Sequence, residues 1–484
     1  MKRTHFLLFL LFLVVFSFRL FFAFHSSTFN TDEAYFQLRS IQTLLTEKHF
    51  LSYDPLSYGG RQVLFSPLYV LFFAFTTFGN VVLLKIVPEL LLSGLVFIIY
   101  QLSFSMTQRE DASLFAAALS VFVPLYLWET VNVISSFSLF LPLLFLLFVL
   151  FFRLEEHKTK FFFLLVTILL PFIGPAALLF PLTVLFFLFL LLGGALTLSR
   201  LKREALLFSC LVIPLFVYLL YASAFHLYGL SLFQQNAPLN VVLDQFRALT
   251  PLELILGVGI LPLLFGVFGL YVGIHREKNE PVYFVSAFGL AVLTLLILHL
   301  IQLAQGLLLL GLAGSILSGP AIVFLFDLLS KTRVHSFLRF FPWFLLLLFF
   351  LVSFLPAVEQ LRLLNPLPQE MITELSMISQ GSGKDLVYAA PLFEGHLITS
   401  VAHQQNVVDS NFLLAPHPEE RLRDIDTLYH TWSEAKALEI VHKYRITHIY
   451  FSPLTQDRLH LSDLVFARTS HCFIQEGHFY VVSC

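Results

Sequence analysis

Long apolar runs separated by short charged connectors constrain this 484-residue chain more strongly than any other feature. Phenylalanine and leucine dominate these runs, as in residues 6–13, 161–165 and 344–351. Apolar residues make up 58% of the chain and charged residues 12%, whereas a soluble domain has about half and about a quarter, respectively. A soluble fold cannot bury so much apolar surface, so the sequence predicts a helical membrane protein.

Eleven membrane spans are predicted, and together they form a transmembrane domain over residues 1–355. The first span follows Lys2 and Arg3. We interpret it as an uncleaved anchor, because it is long enough to cross the bilayer and no small-residue cleavage pattern follows it. The predicted spans are residues 6–24, 86–104, 112–127, 137–152, 161–174, 176–198, 205–224, 252–274, 282–300, 307–329 and 337–355.

The connectors between the spans predict which side of the membrane each lies on. Lysine and arginine concentrate in connectors that follow an even number of crossings, and the alternate connectors at 128–136, 174–176 and 301–306 have neither. By the positive-inside rule the basic connectors are cytoplasmic. We therefore expect a multi-pass protein of the cell membrane with a cytoplasmic N-terminus and an extracytoplasmic C-terminal domain. The basic connectors lie at residues 109, 153–160, 200–203, 276–278 and 331–339.

Residues 25–82 form the predicted first external loop. Within it, Val63–Phe78 is apolar, but counting it as a span would place every later basic connector outside. We predict that it lies along the interface or against the bundle; an ordinary span is the alternative. Residues 33–50 have the pattern of an amphipathic helix, with Thr31 and Asp32 at its N-cap.

The composition changes near residue 356 to that of a soluble α/β domain, predicted over residues 356–484. The expected elements are a strand at 386–389, helices across 419–444, a strand at 448–451 and a hairpin at 473–482. Three cysteines are too few for a disulfide framework. Cys210 lies in an apolar run, whereas Cys472 and Cys484 are placed to pair across the hairpin.

The adjacent carboxylates Asp32 and Glu33 directly follow the first span. Such a pair commonly caps a helix and interacts favourably with its dipole. Its position at the start of the longest polar stretch before the tail, ahead of Gly59-Gly60-Arg61, also favours a functional site.

Two short motifs resemble those of the GT-C glycosyltransferases: Asp-Glu-Ala-Tyr-Phe at 32–36 and Gly-Pro-Ala-Ala at 174–177. These glycosyltransferases are membrane enzymes that transfer sugars from polyprenyl-phosphate donors on the extracytoplasmic face. The tail is similar to the C-terminal domain of archaeal oligosaccharyltransferase catalytic subunits. The residues that carry this likeness are Phe-Glu-Gly-His-Leu-Ile-Thr at 393–399, Val-Val-Asp-Ser-Asn-Phe at 407–412 and Pro-Glu-Glu-Arg at 418–421.

Two elements depart from that family. Where it carries Trp-Trp-Asp-Tyr-Gly to grip the acceptor, this chain has Pro391-Leu392-Phe393-Glu394-Gly395, so the acceptor motif is degenerate. The family's second external loop usually offers another aspartate, whereas residues 128–136 contain Glu129 as their only carboxylate. Glu129 substitutes for that aspartate, or the loop takes no part in metal chemistry.

The resemblance implies a site made of a base, a divalent cation and positive charge around a leaving phosphate. Asp32 is the expected base, with Glu33 beside it in the catalytic pair. Asp32, Glu33 and Glu129 are the candidate ligands for Mg²⁺ or Mn²⁺, since hard oxygen ligands suit both ions. Arg61, Arg247 and Lys85 are the candidate ligands for the donor phosphate, and Glu394 and His396 are expected to bind the acceptor.

The expected partners are a polyprenyl-(di)phosphate-linked sugar or oligosaccharide, a protein or glycan acceptor, and membrane lipid. Nucleic acid is not expected, because the basic residues form small clusters rather than a stripe. Two other interpretations stay open. A transporter or flippase for a lipid-linked sugar would show paired charges or broken helices near the midplane. An inactive scaffold relative would account for the missing aspartate and tryptophans.

Overall fold

The structure is a computed structural model of the chain. It describes residues 2–64, 66–194, 196–229, 241, 250–277, 279–331, 340–363, 366–381, 386–468 and 470–484.

Each of the eleven predicted apolar spans corresponds to one helix or to two successive helices. Up to the start of the C-terminal domain, the helices are α1 Lys2–Ala23, α2 Asp32–Glu47, α3 Pro67–Thr77, α4 Val81–Ser93, α5 Leu95–Thr107, α6 Glu110–Val121, α7 Pro124–Thr130, α8 Phe137–Phe152, α9 His157–Leu169, α10 Leu179–Gly194, α11 Arg200–Leu220, α12 Ala222–Tyr228, α13 Pro251–Val258, α14 Ile260–Val272, α15 Glu280–Ile297, α16 Leu303–Ser330, α17 Phe341–Phe349 and α18 Leu355–Arg362.

Seven helices of the described ranges are long and apolar enough to cross a membrane, and nine crossings result if each of two bent pairs counts as one span. The pair α6 and α7 bends by 49°, and the pair formed by Pro251–Val258 and Ile260–Arg276 bends by 78°. Proline and glycine account for these bends. Pro124 begins α7 without an N–H to continue a helical ladder, and Gly259 has a φ of +91°. The count of eleven crossings stays a prediction.

Small residues allow α14 and α16 to pack closely. A Cβ on Gly269 would lie 1.8 Å from the carbonyl oxygen of Leu317, and one on Gly266 would lie 2.6 Å from the Cα of Gly314. Glycine is therefore required at both positions of α14. Backbones in such close contact gain dispersion energy that larger side chains would prevent.

The segment predicted as the first external loop folds against the bundle. The helix predicted at 33–50 is confirmed as α2, and a short hairpin follows it, formed by β1 Tyr53–Asp54 and β2 Arg61–Gln62. Helix α3 has 11 residues, about 16 Å at 1.5 Å per residue, which is too short for a hydrocarbon core of about 30 Å. It packs against α2 and α4, and its place at the interface rather than across the membrane stays a prediction.

The C-terminal α/β domain is confirmed, with its predicted strands, helices and hairpin. Its five-stranded sheet has the order β4-β3-β5-β7-β6; β4, β3 and β5 are parallel and the last two strands form the antiparallel hairpin. The predicted disulfide is also confirmed, since Cys472 and Cys484 are bonded across the hairpin. The remaining elements are α19 Gln369–Gly381, β3 Val387–Ala389, α20 Gly395–Leu397, β4 Gln405–Asn406, α21 Pro418–His430, α22 Glu434–Tyr444, β5 His448–Tyr450, α23 Pro453–Leu459, β6 Phe473–Glu476 and β7 Phe479–Val482.

The C-terminal domain and the first loop share one apolar core with the bundle. Leu397 and Ile398 are fully buried in the same cluster as Tyr35 of α2 and Leu92 of α4. The start of the first loop and the C-terminal domain therefore lie at the same end of the bundle.

Candidate active site between two loops and the C-terminal domain

A cavity of about 380 Å³ lies where the first loop, the second loop and the C-terminal domain meet. The first loop contributes Glu33, and the segment at the end of α7 contributes Trp128 and Glu129. Gln302 and Gln305 lie at the start of α16. A helix N-terminus favours negative charge, so this wall of the cavity suits an anion.

Two carboxylates face this cavity. Glu33 keeps access to solvent, whereas Glu129 is partly buried, and they are close enough for the charge of Glu33 to act on Glu129. The protein around the cavity desolvates Glu33 and raises its pKa, against a hydrogen bond with Gln37 that lowers it. Carboxylates held this close favour a proton or a cation between them.

Arg458 supplies positive charge at the same cavity. It lies on α23 of the C-terminal domain, and its guanidinium carbon is 4.7 Å from the ring centroid of Phe393. Sequence reasoning missed this residue, because nothing in a short polar helix 425 positions after Glu33 shows that the two share a cavity. Phe393, which contacts Arg458 and belongs to the degenerate acceptor motif, was the sequence feature that could have pointed to this residue.

Asp32 does not line the cavity. Thr31 is the N-cap residue of α2, as predicted, but its side chain makes no capping hydrogen bond. The Asp32 carboxylate instead accepts hydrogen bonds from the backbone N–H groups of His396 at 3.0 Å and Leu397 at 2.8 Å. Burial raises the pKa of Asp32, and these two hydrogen bonds oppose the shift.

The two expected acceptor residues lie in the same junction. Glu394 is fully buried and accepts hydrogen bonds from the hydroxyls of Ser452 and Thr455. Burial raises its pKa to about 7, against the lowering effect of those bonds. His396 lies 3.7 Å from Asp409 and 3.1 Å from the Ser410 hydroxyl, and burial lowers its pKa.

Neither Arg61 nor Lys85 lines the cavity. The Arg61 side chain is 2% exposed and bonds to Ser57 Oγ at 2.6 Å and to Asp409 Oδ1 at 3.4 Å. The Lys85 ammonium donates to the carbonyl oxygens of Ala23, Ser26 and Thr28 at 2.6–3.0 Å. Both cations therefore have protein partners that fix the first loop, and Arg247 lies outside the described residues.

A buried ion pair that the sequence did not predict holds the second loop, residues 128–136, in place. Arg19 Nε lies 2.6 Å from Glu89 Oε2, with side chains 0% and 1% exposed. Arg19 also donates to Thr130 Oγ1 at 3.0 Å, and Glu89 accepts from the backbone N–H of Asn132 at 2.8 Å. Thr130 directly follows Glu129, so this pair sets the position of the cavity carboxylate.

Two asparagines join the loops that carry the carboxylates. Asn132 Nδ2 donates to Asn30 Oδ1 at 2.8 Å and to the carbonyl oxygen of Thr28 at 2.9 Å. Asn30 Nδ2 in turn donates to the carbonyl oxygen of Val131 at 2.9 Å. These hydrogen bonds therefore connect the two loops that carry Glu33 and Glu129.

Within the described ranges, no group of three or more histidine, cysteine, aspartate or glutamate side chains is arranged to hold a metal ion. The cavity offers two carboxylates and the amide oxygens of Gln302 and Gln305. This donor set of hard oxygens fits a cation that completes its shell with phosphate and water.

The chain combines a helical bundle, a folded first loop, the bent helix pair α6 and α7, and a terminal α/β domain. This arrangement is the GT-C fold. The Archaeoglobus fulgidus oligosaccharyltransferase tethered to an acceptor peptide is similar to this chain, with a TM-score of 0.68, 13% identity, and coverage of 92% of this chain and 69% of that one. ArnT from Cupriavidus metallidurans bound to undecaprenyl phosphate gives a TM-score of 0.52 and 12% identity over 98% and 97% of the two chains.

The arabinofuranosyltransferase AftD from Mycobacteria gives a TM-score of 0.51 at 15% identity, over 90% of this chain and 36% of that one. No protein-family model and no curated protein sequence matches the chain. The likeness therefore lies in the fold, and the expectation of GT-C architecture is confirmed.

Proposed function

We propose that this protein is a GT-C glycosyltransferase that moves a sugar or oligosaccharide from a polyprenyl-phosphate or diphosphate donor to a protein or glycan acceptor on the extracytoplasmic face. The observation that carries this proposal is the cavity in which Glu33 and Glu129 face Arg458. Transfer from a lipid phosphate requires a base for the nucleophile and positive charge for the departing phosphate. All three side chains reach one space at the junction with the C-terminal domain.

Glu33 is the base in this proposal. Its solvent-accessible carboxyl lies in the cavity and has a raised pKa, which brings it closer to the pH at which a base accepts a proton effectively. Asp32, the residue first expected in this role, instead orients α2 by binding two amides of the C-terminal domain. It is a positioning residue, while Trp128 offers a ring face to a sugar.

Arg458 is the donor-phosphate ligand in this proposal. A guanidinium binds phosphate oxygens with two parallel hydrogen bonds, and the N-terminus of α16 adds a favourable dipole. Glu129, with the amide oxygens of Gln302 and Gln305, would hold Mg²⁺ or Mn²⁺, which when bound would neutralise phosphate charge and leave Glu33 as the base. Two neighbours of this fold support a lipid-phosphate donor, because one is a complex with a dolichol-phosphate and another with undecaprenyl phosphate.

The decisive experiment gives purified protein, reconstituted in vesicles, a labelled polyprenyl-phosphate sugar and candidate acceptors, with and without a chelator. Labelled acceptor is the expected product, and Arg458→Gln is expected to reduce it. The matched control is Arg423→Gln, which removes an exposed arginine of the C-terminal domain. Equal transfer by Arg458→Gln and the wild type would remove Arg458 from the site.

A lipid-linked sugar transporter is the second candidate, because two of its signatures are present. Arg19 and Glu89 pair inside the bundle, and two helix pairs bend by 49° and 78°. The charge pair is enclosed and lines neither described cavity, which favours a structural role. Movement of the labelled lipid between leaflets without labelled acceptor would establish the transporter instead.

A further inference from the structure

A second cavity, of about 160 Å³, lies on the other side of the junction. It is formed by Gly59 of the first loop and by residues of β4, α21 and α22, and it shares no lining residue with the carboxylate cavity. Its volume suits one monosaccharide unit. The proposed transfer reaction does not use it.

Arg421 projects from α21 into this cavity. Its guanidinium carbon lies 5.8 Å from the ring centroid of Tyr58 and 5.1 Å from that of Tyr444. Within the described ranges no carboxylate approaches it within 4.0 Å, and Nη1 contacts the Val407 carbonyl oxygen at 3.5 Å. Two rings therefore hold a half-buried cation whose remaining donors are available to a ligand.

The other two cations of this cavity differ in their partners. Lys443 is neutralised by Glu420 at 2.6 Å and by Asp424 at 2.5 Å. Arg445 is exposed and forms no ion pair in the part of the chain that the structure describes. Within the described ranges, Arg421 and Arg445 thus place positive charge without a carboxylate partner inside 4.0 Å at one small cavity, which suits a carboxylate or phosphate.

A half-buried amide at the same cavity suits a different group. Gln405 of β4 lines the cavity. The oxygen of a glutamine amide accepts a hydrogen bond from a hydroxyl. A simple anion has no such donor, but a sugar does.

From these contacts we propose that the cavity binds an acidic sugar unit, with its anionic group on Arg421 and Arg445 and a hydroxyl donated to the side-chain amide oxygen of Gln405. Tyr444 offers an aromatic ring beside the sugar. The site is separate from the carboxylate cavity, so it would bind a glycan that already bears acidic sugars while transfer takes place elsewhere.

Saturation-transfer NMR on the full-length protein in detergent tests this assignment, with D-glucuronate as the probe and D-glucose as the neutral control. Glucuronate is expected to bind and glucose to bind at least tenfold more weakly. Arg421→Gln and Arg445→Gln should each weaken glucuronate binding at least tenfold, and added salt should weaken it further. Arg423→Gln, on the same helix but outside the cavity, should leave the affinity unchanged.

Three outcomes would overturn the proposal. They are unchanged glucuronate binding by both Arg421→Gln and Arg445→Gln, equal binding of glucose, and equal binding of inorganic phosphate, which would leave only a general anion site. Arg445 is exposed, so its variant tests the site even if Arg421→Gln fails to fold. Glu129→Gln should bind glucuronate like the wild type, which separates this site from the proposed transferase reaction.

Discussion

The two carboxylates at the start of the first loop are adjacent in sequence but differ in their surroundings. Asp32 is buried against the C-terminal domain and accepts two backbone hydrogen bonds, whereas Glu33 faces a solvent-accessible cavity. The same contrast separates Glu394, held by two hydroxyls, from Glu129. Charged groups with protein partners hold this junction together, and those at the cavity are left for a ligand.

Removing a cavity carboxylate should reduce sugar transfer more than removing a carboxylate that has protein partners. Glu33→Gln and Glu129→Gln are each expected to reduce sugar transfer at least about hundredfold, the lower end of what a positioned base contributes, with little change in melting temperature. Transfer rate and thermal unfolding, measured on the same preparations, check this. If a variant unfolds at a lower temperature or transfers sugar at the normal rate, the substituted residue has a structural role instead.

Breaking the buried ion pair should cost the most stability. Arg19→Met leaves the Glu89 charge without its partner, so we expect a loss of about 3–5 kcal/mol. Asp327→Asn is the matched control, because it removes the solvent-exposed pair with Arg109 and should cost at most about 1 kcal/mol. Thermal unfolding in detergent measures both.

The double variant Arg19→Met/Glu89→Met sharpens this test. Replacing both charges removes the uncompensated one, so most of the lost stability should return. Transfer should recover less, because the contacts to Thr130 and Asn132 that position Glu129 are gone. Full recovery of kcat in the double variant would argue against a positioning role for the pair.

The buried Glu394 should make the stability of the junction depend on pH. Its pKa is about 7 in the folded protein and 4.5 when unperturbed, so the folded state binds the proton more tightly. The stabilisation is complete below pH 4.5, falls as the pH rises towards 7, and corresponds to roughly 3 kcal/mol. Glu394→Gln should flatten this dependence in thermal unfolding between pH 5 and 8, whereas the exposed Glu439→Gln should not.

Asp32→Asn should cost less stability than Arg19→Met. It weakens two hydrogen bonds to backbone amides, at a cost of about 1–3 kcal/mol, and should loosen the contact of α2 with α20. Proteolysis of the C-terminal domain and transfer rate should then change together. A hundredfold loss of transfer with unchanged melting and proteolysis would instead show that Asp32 takes part in the chemistry, as the sequence first suggested.

Much of the fold was predictable because its signals are local. The apolar runs, the amphipathic pattern of α2, the strands of the C-terminal domain and the hairpin that brings Cys472 to Cys484 all follow from residue spacing. The number of membrane spans does not follow from local signals in the same way, since α8 and α9 have only 16 and 13 residues and two spans are bent. A composition window does not show where a helix breaks.

The sequence by itself determined that this is a helical membrane protein with a terminal α/β domain, and it drew attention to Asp32, Glu33 and Glu129. Only the tertiary structure decided which carboxylate faces the cavity, that Arg458 joins it, and that Arg19 pairs with Glu89. The physical reason is distance along the chain. Asp32 meets His396 across 364 positions, and a contact of that kind depends on how the helices pack, which local patterns do not encode.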